Sequence, residues 1–127
     1  MFSKTERLIY SIVGSIGTNA TPFIYAVDTV FDLLFVQQIP RGEIHVTKDV
    51  YPAVAEKLGK SSASVTRRIS YFGNLCWDTI IKENRVTELF GRPLCEAPTT
   101  ADLLVYFAVY LYYGAPFFTV MENPDLN

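Results

Sequence analysis

Apolar residues recur three and four positions apart along most of this chain, the spacing of helices with one buried face. Leu8, Ile9, Ile12, Val13 and Ile16 form a first stripe. It follows Ser3-Lys4-Thr5-Glu6, a capping-box pattern, and Gly14 and Gly17 weaken its end. Thr21-Pro22 predicts a second start, a cap with proline at the first helical position. Phe23, Ile24, Val27, Val30, Phe31, Leu34 and Phe35 then make a broad apolar face, with Asp28 and Asp32 on the wet side and Pro40-Arg41-Gly42 as the stop. A third helix is expected from a Thr47 cap to Leu58, closed by Gly59, with Pro52 near its start. A fourth runs from about Ala63 to Ile81, with Val65, Ile69, Phe72, Cys76 and Ile80 inward. Val86 to Phe90 reads as one or two turns closed by Gly91. Thr99 opens a last helix with Asp102 three residues on, a stripe of Leu103, Leu104, Phe107, Ala108 and Leu111, and Gly114 at its end.

No segment alternates long enough to argue a sheet; Ile44-His45-Val46 is at most a short extended piece. The expected fold is therefore all-α, a compact bundle of about six helices. Residues 1–114 make the domain and 115–127 an apolar, then acidic, tail. Nine Phe, eight Tyr and one Trp supply a core, which excludes a disordered chain. Leu103 to Met121 is uncharged and approaches the ~20 residues that span a bilayer. Gly114, Ala115 and Pro116 divide it, and no Lys or Arg follows, so a buried helix and an apolar tail are expected, and no membrane partner. In that tail Phe117, Phe118, Val120 and Met121 lie beyond the last helix and are expected to bury apolar surface against the chain's own domain or, as the candidate site, at an oligomer contact with a second copy.

Net charge is −2, which argues against a generic nucleic-acid coat. The charge is uneven: residues 41–92 hold nine basic and six acidic side chains, whereas 93–127 hold four acidic ones and no Lys or Arg. An anionic partner would meet the basic middle. With one histidine, His45, and two cysteines, Cys76 and Cys95, the chain offers no metal-ligand spacing, catalytic triad, phosphate loop or nucleotide fingerprint. Neither an enzyme nor a cofactor is expected. The cysteines read as reduced thiols, consistent with a cytoplasmic protein.

The most informative run is Ala55, Gly59, Ser61, Val65, Arg67 and Ile69, the spacing of a helix-turn-helix. Ala55 permits close helix approach, Gly59 takes the tight turn and Ser61 or Ser62 caps the second helix. With Val65 and Ile69 inward, the opposite face presents Ser64, Arg67, Ser70, Tyr71 and Asn74, with Thr66 and Arg68 on its flanks. Such a face suits the major groove, where arginine forks to guanine and hydroxyls read other edges. Its plainer reading is a helical hairpin with a polar outer side.

Thr47-Lys48, Tyr51-Pro52, Val54-Ala55 and Lys57 lead into this hairpin. They are followed by Ser62, Val65, Arg67, Ile69, Trp77, Leu89-Phe90-Gly91 and Pro98-Thr99, with Ile16-Gly17 upstream. The set resembles the C-terminal DNA-binding domain of bacterial sporulation-initiation response regulators, from Thr5 to about Tyr113. The resemblance implies a stand-alone, divergent homologue without receiver domain: a sequence-specific transcription regulator that binds double-stranded DNA as a homodimer or in tandem copies. It implies helix 63–81 in the major groove. Ser64, Thr66, Arg67, Ser70 and Tyr71 would contact bases, and Lys48, Lys60, Ser62 and Arg68 would contact phosphates. RNA polymerase or another regulator is a further expected partner. The chain departs from the family where Ser64, Thr66 and Ser70 replace charged residues and where Thr18 to Phe23 replaces a longer stretch. These departures and the −2 charge support the alternative, a helix-turn-helix-derived protein-interaction module that has lost specific DNA binding.

Overall fold

The computed structural model describes residues 2–14 and 19–123, and among them every regular element is helical. Seven α-helices follow in order: α1 Lys4–Val13, α2 Thr21–Phe31, α3 Tyr51–Leu58, α4 Ser62–Lys82, α5 Val86–Phe90, α6 Thr100–Tyr113 and α7 Phe117–Glu122. Ile16 and Gly17, expected at the end of the first stripe and in the family resemblance, lie outside the described residues, as does Thr18.

Local chemistry sets most of the boundaries. Ser3 and Glu6 form the reciprocal capping box, each side chain accepting from the other's backbone N–H at 3.1 Å. Ser61 caps α4 by accepting from the N–H of Ser64, and Thr99 caps α6 by accepting from that of Asp102. Gly59, Gly91 and Gly114 end α3, α5 and α6 in the left-handed region.

Two starts differ from expectation. Thr21 is the first residue of α2 and not its cap; Ala20 holds the cap position, and the side-chain oxygen of Asn19 accepts from the Thr21 N–H. Thr47 does not cap α3 either. A π turn over Val46–Val50 feeds directly into Tyr51, and the Asp49 carboxylate accepts from the His45 N–H at 2.9 Å. Proline explains the wider turn: Pro52 has no N–H to give the preceding carbonyls. A second π turn, Asp32–Val36, continues α2. Ile44 and His45 are extended without pairing in a sheet.

Helix α2 lies at the centre, packed against α1, α3, α4 and α6. Phe23 meets Phe72 of α4 at 5.2 Å between ring centroids and Phe107 of α6 at 6.0 Å. Each fully buried side chain of this size stabilises by about 1.5–3 kcal/mol. Gly73 of α4 faces the same point, where a Cβ would lie 3.4 Å from the Phe23 ring. The inward stripe of α4 is as expected: Val65, Ile69, Phe72, Cys76 and Ile80 are buried. Trp77 is only half-buried, against Phe90. Asp28 is not merely solvated, for its carboxylate accepts the hydroxyl of buried Thr5 and joins α1 to α2.

The expected tail is part of the bundle. After Gly114 the chain turns, and α7 packs on α5 and α6. Val120 is fully buried and Phe117 nearly so, in a small cluster with Val109. Of the four residues expected at an oligomer contact, these two are covered by the chain itself. Phe118 is half-buried and Met121 exposed. Six residues carry too little periodicity to announce a helix, so α7 is not legible in the sequence pattern.

Candidate nucleic-acid interface

Helices α3 and α4 form a hairpin around the three residues Gly59, Lys60 and Ser61. Gly59 adopts φ 65°, ψ 36°, a conformation that turns the chain tightly and disfavours a Cβ. Val54 and Ala55 are buried on one side of the hairpin, Val65 and Ile69 on the other. Their burial fixes the rotation of α4 and so decides which residues face out.

Arg67 and Tyr71 stand one turn apart on the outer side, Tyr71 with 73 % of its surface exposed. Arg68 and Asn74 are exposed as well. Ser64, Thr66 and Ser70 are half-buried at the margins of this face. Thr66 is already engaged: its hydroxyl donates to the Ser62 carbonyl at 2.7 Å, leaving oxygen lone pairs for another partner. Ser62 is not the cap but the first residue of α4, and it is exposed.

With Ser61 capping Ser64, the N–H groups of Ser62 and Ala63 remain beyond the reach of intrahelical bonds. They point out of the positive end of a 21-residue helix. Lys60 is exposed in the turn just before them, and Lys48 stands apart on the π turn that precedes α3. The hairpin thus brings together eight of the nine residues expected to contact DNA, and Lys48 is the one on a separate element.

The cations of this region are uncommitted. Among the described residues the ion pair is Arg85–Glu88, at 2.8 Å, remote from the outer face of α4. Among those residues Arg67, Arg68, Lys48 and Lys60 have no carboxylate within ion-pair distance. One basic residue was overlooked as a site candidate: Lys57 of α3 places its ammonium 4.2 Å from the centre of the Tyr25 ring. Lysine seven residues before Ser64 was visible, but nothing local distinguishes a cation held on an aromatic face from a free one.

Elsewhere the chemistry is quiet. Burial pushes the Cys76 thiol up to about 12, so it stays protonated, whereas Cys95 is exposed. No group of His, Cys, Asp and Glu among the described residues is arranged to hold a metal ion. No helix among them is long and apolar enough to cross a membrane. Compared with models of known protein families, with curated proteins and with solved structures, the chain matches none of them.

Proposed function

We propose that this protein is a sequence-specific DNA-binding transcription regulator that sets the outer face of α4 in the major groove. The observation that carries the reading is the outer face of α4: Arg67 and Tyr71 are exposed and unpaired among the described residues, on the helix whose N-terminal Ser62 and Ala63 N–H groups have no intrahelical partner. Arg67 would fork to a guanine, and the Tyr71 ring would meet an apolar base edge such as a thymine methyl. Ser64, Thr66 and Ser70 would add contacts from the margins. The N–H groups of Ser62 and Ala63 would hold a phosphate, helped by Lys60, Arg68 and Lys48. The resemblance to sporulation-initiation effector domains points the same way, and with it a bacterial cytoplasm, a pair of copies on DNA and RNA polymerase as a downstream partner.

A specific observation favours a second reading. A tyrosine this exposed, on a face with two arginines in a chain of net charge −2, also suits a protein surface. A protein-interaction module of helix-turn-helix ancestry would use the same residues. Selection from a random DNA pool separates the two. Enrichment of one sequence, with affinity that falls steeply with salt, supports the regulator. A pool that yields no sequence replaces it with the interaction module.

A further inference from the structure

On the side of the molecule that carries α7, two arginines from distant loops lie on adjacent phenylalanines. The Arg41 guanidinium is 5.0 Å from the centre of the Phe117 ring, and that of Arg92 is 3.7 Å from the centre of Phe118. The two rings are themselves 5.0 Å apart, and both meet Tyr106, at 4.5 and 5.4 Å. Two cavities of about 420 and 510 Å³ open here, one beside each arginine; Asp102 and Tyr106 line both, and Glu96 lines the one beside Arg92. They are two halves of one trough crossing α6. Arg41 has a weak contact to the Met121 sulfur at 3.4 Å, and neither arginine has a carboxylate within ion-pair distance among the described residues.

We infer that this trough is a docking groove for a short acidic peptide segment of a partner protein, with Arg41 and Arg92 each forking to one carboxylate. A guanidinium lying on an aromatic face keeps its N–H edges directed outward, which pre-arranges it for a bidentate carboxylate. The three contacts that link the arginines limit their separation to a distance an extended chain covers in about four residues. A segment of that length can reach both arginines and also set a donor over Asp102, which a small diacid such as glutarate lacks. Asp102, at the shared wall, repels a carboxylate set above it and accepts from a hydroxyl or amide; Glu96, on the wall of the Arg92 half, restricts an incoming carboxylate to the guanidinium edge. The pattern recognised is therefore acid, uncharged donor, acid. Tyr106 registers the same field: burial raises its hydroxyl, Asp102 raises it further, and Arg92 and Arg41 both act to lower it. This groove involves none of the residues assigned to DNA, so either reading can fail without the other.

Fluorescence anisotropy with a labelled Glu-Gly-Ser-Gly-Glu peptide tests the assignment. Binding to the parent protein should be salt-sensitive and should disappear when both glutamates are replaced by glutamine. Arg41→Gln and Arg92→Gln should each weaken binding about tenfold or more, and lysine at either position should recover only part of it. Lys82→Gln, on the exposed end of α4, should bind as the parent does. Circular dichroism of each variant checks folding, and the glutamate-to-glutamine comparison on the parent protein decides the question even where a variant fails to fold. Equal binding of the glutamine peptide, parent-like binding by both glutamine variants, or glutarate competing as well as the pentapeptide would each overturn the proposal.

Discussion

Arg67 and Arg68 are adjacent and both exposed, yet they differ by about 100° around α4. Buried Val65 and Ile69 fix the rotation, so Arg67 lies near the centre of the outer face and Arg68 near its edge. Arg67→Ala is expected to cost about 1–3 kcal/mol of base discrimination and to relax the preference at one position of a selected site. Arg68→Ala should weaken specific and non-specific binding alike and reduce the salt slope by about 1. Binding curves at several salt concentrations read both effects; two parent-like variants would remove α4 from the interface. The cysteines offer a second contrast at this scale. Cys76 is fully buried, with its thiol raised to about 12, and Cys95 is exposed. A thiol reagent such as dithionitrobenzoate at pH 8 should titrate one group in the native protein and two in guanidinium. Rapid native labelling of both would mean that α4 opens readily.

At the scale of elements, two glycines end helices in similar conformations but for different reasons. Gly59 has φ 65° and open space around the position of a Cβ, so Gly59→Ala should cost about 1–2 kcal/mol, the left-handed penalty alone. Gly91 has φ 94°, and a Cβ there would meet the Thr119 hydroxyl at 2.7 Å and its backbone nitrogen at 2.9 Å. Gly91→Ala must therefore displace α7 as well as strain the turn. Its loss in denaturant melts should exceed that of Gly59→Ala, and equal losses would argue against the tight seat of α7. That seat also makes the last helix a structural element. Removing residues 115–127 uncovers Val109 and takes away buried Phe117 and Val120. At about 1.5–3 kcal/mol for each buried side chain, the truncated chain should melt at lower temperature and aggregate in light scattering. An unchanged soluble particle would show that α7 contributes little.

At the scale of the whole molecule, few long-range polar ties join the described residues, and Arg85 makes one of them. Its guanidinium donates to the Ser11 carbonyl at the end of α1 and to both oxygens of Glu88 on α5, just beyond the end of α4. The hydrogen bond to Arg85 holds the Glu88 carboxyl below its ordinary pKa, with burial opposing the shift. A carboxylate with a depressed folded value adds stability above its unfolded pKa and loses it as pH falls through the folded one. Thermal melts should therefore separate the parent from Glu88→Gln by less than about 1 kcal/mol at neutral pH, since the pair is solvent-screened. The gap should close as pH falls below about 4. A gap that persists in acid would mean that Glu88 acts through packing and not through its charge.

The all-helical fold, most boundaries and the buried stripe of α4 were legible in the sequence by itself. Each follows from spacing and from capping residues such as Ser3, Ser61, Thr99, Gly59 and Gly91, which act within a few residues of one another. The outer face of α4 was legible for the same reason, since naming Val65 and Ile69 as inward also names Arg67 and Tyr71 as outward. What only the tertiary structure decided depends on residues far apart in the chain. The π turns ahead of α3 and after α2 depart from the local repeat, the first of them just before Pro52. The place of α7 depends on a glycine at 91 that leaves room for Thr119. The trough depends on a short turn and a loop far apart in sequence bringing Arg41 and Arg92 onto Phe117 and Phe118. Helix signals are carried by neighbours in sequence, whereas cation–aromatic contacts and helix seats are made by residues that meet only once the core has formed.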